Sequence, residues 1–242
     1  MVPRHVHVIT GFGTSSPDAY QDTYGRYYEE IRAALDCPCL QTVSSRRMQA
    51  ALANRVPFLG DILPGLEGGE VTVQALFMDD GREYDTVAKL IRVAREDGLS
   101  CRMSAPILKE QPSRVAEILM ESHPERENHA YLLVTHGGPD GAGQGAKHLE
   151  SIIREAGRGD MQLYTLQDFH SGRVFEELMK LKMKAVSTVP LMLTDGHHLR
   201  EIRESLREHG DGMGLTLMET GSGLLREAWF RAMLLKMARE MT

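Results

Sequence analysis

Along the whole chain, short apolar runs alternate with stretches in which apolar residues recur every three or four positions. The runs near 5–10, 38–43, 71–78 and 100–104 read as buried strands, each followed by a helical pattern. The first helix has clear start signals: Ser16 can cap it, Pro17 suits its first position, and Tyr20, Tyr24, Tyr28 and Ile31 share a face. A later helix carries Val87, Leu90, Ile91 and Ala94 on one side and stops at Gly98. The second half repeats this order, with strands near 130–135, 161–166, 185–193 and 214–218. Its helices fall near 144–156, 173–182, 198–209 and 223–240. Such alternation predicts an α/β fold with mostly parallel sheets.

The polar stretch "ESHPERENH" (121–129) divides the chain into an N-terminal α/β half over 1–122 and a C-terminal α/β half over 129–242. The halves also align with each other. "TVQALFMDDGREYDTVAKLIR" (72–92) lies over "STVPLMLTDGHHLREIRESLR" (187–207), matching Leu76 with Leu191, Asp80 with Asp195 and Gly81 with Gly196. "VITGFGTS" (8–15) matches "LVTHGGPD" (133–140) in the same way. Self-similarity in fixed order predicts an internal duplication.

Composition narrows the function classes. A net charge of −6 argues against nucleic-acid binding, which needs a basic surface to release counterions. No apolar run approaches the roughly 18 residues of a membrane span. The first residues lack the apolar core of a signal peptide, so the expected location is the cytoplasm. The three cysteines, Cys37, Cys39 and Cys101, make no disulfide framework. The Cys37–Cys39 pair reads as ordinary partly buried thiols before it reads as a soft-metal pair.

Ligands of an open α/β sheet collect at the carboxyl ends of its strands. Three second-half strands end in suggestive side chains: "VTHGG" presents His136, "TLQDFH" presents Gln167, Asp168 and His170, and "TDGHH" presents Asp195, His197 and His198. Imidazoles from separate strands with a polar residue between them suit an open divalent-metal site. The matching first-half positions hold Gly11 and Glu83, so the histidines belong to one half only. Gly11, Gly13, Thr14 and Ser15 can form an anion-binding turn before a helix, without the lysine of a nucleotide loop. "GGPDGAGQG" (137–145) reads as a mobile loop beside a ligand site. His5 and His7 share one strand face and read as structural.

In order, "GFGTS", "VTVQALFMDDGREY", "VTHGG", "VPLMLTDGHH" and the closing "GSG" resemble the anaerobic cobalt chelatases. These are the sirohydrochlorin cobaltochelatases of the class II chelatase superfamily. The resemblance runs nearly end to end. It implies two similar halves, each with a mostly parallel four-stranded sheet flanked by helices, and a cleft between them that holds a tetrapyrrole. The last helix is expected to pack back on the first half. The family binds metal through two histidines and a glutamate. The histidines correspond to His136 and His198, which would be both catalytic and metal-binding.

The glutamate position holds Gln167, which keeps the shape and loses the charge. Asp168, His170, Asp195 and His197 are the substitute ligands or bases. Gly11, Gly13, Thr14, Ser15, Arg46, Gly137 and Gly138 are the expected substrate contacts. The implied reaction inserts a divalent metal, Co²⁺ before Ni²⁺ or Fe²⁺, into sirohydrochlorin or a relative, with no organic cofactor. A second reading is a non-catalytic, chelatase-derived binder of tetrapyrrole or metal. Nucleic acid and membrane are not expected partners, and homo-oligomer formation stays open.

Overall fold

The computed structural model describes residues 5–66, 68–138 and 140–242. The first sheet contains β1 (His5–Gly11), β2 (Cys39–Val43), β3 (Glu70–Leu76) and β4 (Ser100–Met103) in the order β2-β1-β3-β4. The second contains β5 (His129–Thr135), β6 (Met161–Thr165), β7 (Ala185–Pro190) and β8 (Thr216–Thr220) in the order β6-β5-β7-β8. Every pairing is parallel, and the two orders are the same. Parallel strands need helical crossovers, which cover both sheet faces and make central strands continuously apolar. Accordingly β5, "HAYLLVT", is buried from end to end.

The helices expected near 144–156, 173–182 and 198–209 are present, whereas the last begins at Ala228 rather than near 223. In the first half the helices are α1 (Pro17–Tyr20), α2 (Arg26–Ala34), α3 (Arg46–Ala51), α4 (Leu59–Ile62), α5 (Arg82–Glu96), α6 (Ile107–Glu110) and α7 (Pro112–Ser122). The second half adds α8 (Gln144–Glu155), α9 (Leu166–His170), α10 (Arg173–Lys180), α11 (His197–Met213) and α12 (Ala228–Met241). Ser16 caps α1 by accepting from the Ala19 amide, and a π-helical turn over Gln21–Gly25 joins α1 to α2. Tyr20, Tyr24, Tyr27 and Ile31 are buried, so Tyr27 rather than Tyr28 completes the stripe, as i, i+4, i+7 spacing requires. The Tyr28 hydroxyl instead donates to the Cys39 carbonyl. No helix among the described residues is long and apolar enough to cross a membrane.

Contacts divide the chain into two compact units. One runs to Pro106 and includes Leu225–Thr242, and the other is Ile107–Leu224. The polar stretch 121–129 therefore lies inside the second unit rather than at a boundary between 1–122 and 129–242. Its ties are specific: Arg158 donates to the carbonyls of Met120 and His123 and pairs with Asp160, and the Tyr131 hydroxyl donates to Pro124. Helix α7 packs on α8 in the same unit. In the first unit, α12 packs on α2, where buried Arg231 pairs with Glu30, and the Leu234 carbonyl accepts from Gln74.

The second sheet positions the chemistry. From β5 the chain crosses to β6 on one flank, whereas β7 pairs with β5 on the other. The carboxyl ends of β5 and β7 thus meet where the strand order reverses, the place where open α/β sheets hold ligands. Strand β7 ends at Pro190, short of the expected Leu193. Proline has no amide hydrogen for a ladder, and the chain leaves the sheet after the Leu191 amide bonds to Val134. Leu191 and Leu193 stay buried without being strand.

Candidate metal centre

His136 follows β5 directly, and His198 lies in the first turn of α11, beyond β7. Adjacency of these two strands brings the imidazoles together edge to face, with ring centroids 4.9 Å apart. Each ring is oriented through Nδ1. That of His136 lies 3.0 Å from the Gly137 carbonyl oxygen, and that of His198 lies 2.9 Å from Oε2 of Glu201. A carbonyl and a carboxylate can only accept, so in the neutral rings Nδ1 carries the proton and the Nε2 lone pair is left for a ligand. Metal-binding histidines are commonly oriented this way.

Glu201 was not among the residues marked by sequence reasoning. Its other oxygen, Oε1, lies 3.1 Å from Nε2 of His197, whose ring centroid is 6.0 Å from that of His198. The hydrogen bond from His198 holds the Glu201 carboxyl below its ordinary range, and charge on His197, His198 and His170 acts in the same direction. The signal was spacing: Glu201 stands at i+4 from His197 and i+3 from His198 on one helix.

Other expected ligands have different places. Strand β6 has ended at Thr165, so Gln167 and Asp168 belong to α9 and not to a strand. Asp168 forms a capping box: its carboxylate accepts from the Thr165 amide and hydroxyl, and its own amide donates to Thr165 Oγ1. It also pairs with Arg173. Gln167 is exposed and lines a cavity of about 380 Å³ with Lys147, Glu150, Thr165, Asp168 and Arg173. His170 ends α9 and is exposed. Asp195 accepts from the Gly223 amide at 2.6 Å, so it ties down the "GSG" loop.

Gly137 has φ +71°, and a Cβ there would lie 2.8 Å from the Thr165 side chain, so the residue after His136 must be glycine. Gly138 and Gly141 exchange two backbone hydrogen bonds, and Pro139 of the glycine-rich segment lies outside the described residues. In the first unit, a Cβ on Gly11 would lie 2.6 Å from the Tyr24 ring. Gly13 has φ +88°, in the left-handed region that favours glycine. Thr14 accepts from the Ser16 amide, and Ser15 is exposed. Arg46 forms a two-point pair with Asp61 and lies over the Phe58 ring, which neutralises the charge expected to meet substrate.

Among the described residues, no group of three or more His, Cys, Asp or Glu side chains is placed to hold a metal ion. Cys37 and Cys39 are free thiols, and burial pushes the Cys39 thiol up to about 11, away from metal-ready thiolate. What remains is a pair of imidazoles with open Nε2 atoms at the switch point of the second sheet.

Comparison with known proteins agrees with this architecture. The solved structure of the sirohydrochlorin chelatase SirB from Bacillus subtilis subspecies spizizenii in complex with cobalt matches with a TM-score of 0.67 at 14% identity. The match covers 98% of this chain and 95% of that one. SirB from Bacillus subtilis with Fe³⁺ matches with a TM-score of 0.70 at 16% identity, over the same shares of the two chains. DR2241 from Deinococcus radiodurans, a multi-domain protein with structural similarity to chelatases, matches with a TM-score of 0.65 at 15% identity. There 98% of this chain covers 55% of the other. No curated protein sequence matches. The sequence model of the cobalt chelatase (CbiK) family matches residues 6–212. With most of its length matched, this chain belongs to the cobalt chelatase family.

Proposed function

We propose that the protein inserts a divalent metal, cobalt first, into a sirohydrochlorin-type tetrapyrrole, with His136 and His198 holding the ion before transfer. One observation carries the reading: two imidazoles, one just after β5 and one in the helix that follows β7, have ring centroids 4.9 Å apart, each tied through Nδ1 and open at Nε2. Family membership supports chelatase chemistry, and the SirB structures with cobalt and with Fe³⁺ support the metal class. Insertion exchanges M²⁺ for two pyrrole N–H protons, so the ion must be held and then released. Two neutral nitrogens bind cobalt, nickel or iron more weakly than a full ligand cage, which suits release. Half-exposed His198 can also meet a flat macrocycle.

Gln167 favours a second reading, a binder without insertion, because it stands where the resemblance places a glutamate. An anaerobic assay separates the two. The protein, sirohydrochlorin and Co²⁺ are mixed and the absorption spectrum is followed against a control without protein. Faster conversion to the metallated spectrum supports insertion. A shifted spectrum without acceleration supports the binder, and no change counts against both.

A further inference from the structure

Glu201 spreads one carboxylate between two histidines of its own helix, Oε2 on Nδ1 of His198 and Oε1 on Nε2 of His197. The group is too exposed to add much stability, with side-chain exposures of 31%, 43% and 73% for Glu201, His198 and His197. It nevertheless determines which nitrogen of His198 faces outward. The other acidic candidates are occupied: Asp168 caps α9 and Asp195 holds Gly223. Gln167 has no charge to offer.

We propose that Glu201 is a positioning residue that locks His198 with its proton on Nδ1 and presents Nε2 to the incoming metal. It thereby supplies, behind the ligand, the negative charge absent at Gln167. A carboxylate behind an imidazole raises its basicity as a ligand, and loss of such a partner costs about 10–100-fold in metal affinity. This deepens the proposed function and rests on His198 being a metal ligand.

The test uses the full chain and Co²⁺ alone, read by calorimetry and by visible absorption, in the wild type and in Glu201→Ala, Glu201→Gln and His198→Ala. In parallel, ¹⁵N-histidine correlation spectra of the metal-free proteins report the His198 tautomer. The expected order of affinity is wild type, then Glu201→Gln, whose amide oxygen can still accept from Nδ1–H, then Glu201→Ala. Glu201→Ala is also expected to move the His198 proton toward Nε2 with melting unchanged. A wild-type tautomer and wild-type affinity in Glu201→Ala, while His198→Ala loses Co²⁺, would overturn the positioning role and leave the metal reading intact. Equal Co²⁺ binding by wild type and His198→Ala would instead remove the metal reading, and the inference with it.

Discussion

The rings of His136 and His198 stand edge to face at 4.9 Å, one from the end of β5 and the other from the helix after β7. Each ring presents one nitrogen, so neither can replace the other. His136→Ala and His198→Ala are each expected to lower Co²⁺ affinity at least about tenfold, the loss of one ligand. Both side chains are partly or fully exposed, so stability should change by no more than about 0.5 kcal/mol. Calorimetry beside thermal melting checks both points. Retained Co²⁺ binding in either single variant would show that the pair does not act as one holder.

Asp168 gives the opposite pattern. Its carboxylate is engaged by the Thr165 amide and hydroxyl and by Arg173. Asp168→Ala should therefore cost about 1 kcal/mol of stability through loss of the cap. Co²⁺ affinity should stay within a factor of about two, because the residue is a cap and not a ligand. A large loss of affinity at unchanged melting temperature would return Asp168 to the metal set.

These two cases show what the sequence makes legible. Period and turn residues suffice for the eight strands and their parallel order, because central strands such as "YLLV" are apolar throughout and their helices are not. The histidines stand out because imidazoles at strand ends are chemically unusual there. Asp168 was misplaced because "TLQD" reads as a strand end, although Thr-x-x-Asp is also a cap signature. Glu201 was hidden in "LREIRESLREH", where one acid among several looks like a solvated face. Only the helix, by fixing three- and four-residue neighbours on one side, singles it out.

Gly137 tests how tightly the backbone holds His136. Gly137 and Gly141 both have positive φ, +71° and +89°, but only at Gly137 would a Cβ collide, 2.8 Å from Thr165. Gly141→Ala should cost roughly 1 kcal/mol, the penalty of the left-handed conformation. Gly137→Ala should cost about 2 kcal/mol or more, and it should also weaken Co²⁺ binding by shifting His136. Urea unfolding and calorimetry on the two variants separate strain from collision. Equal losses would mean that Thr165 yields freely.

His7, in the first unit, should make stability depend on pH. It is fully buried in β1 with Nδ1 3.0 Å from the Thr72 hydroxyl, and burial lowers its pKa from 6.5 to about 4. The native protein therefore keeps it neutral, while an unfolded chain takes up a proton below pH 6.5. The sign follows: this contribution is complete above 6.5 and is lost as pH falls toward 4, because the unfolded state binds more protons there. Lowering the pH from about 7.5 to about 5 should remove about 2 kcal/mol, read as a fall in the urea midpoint. His7→Gln keeps a polar group beside Thr72 and has nothing to titrate, so its midpoint should change much less over that range. An undiminished slope in His7→Gln would assign the effect to another buried imidazole. His129 is the first to test, because burial lowers its pKa as well and its Nε2 lies 3.0 Å from Ser187 Oγ.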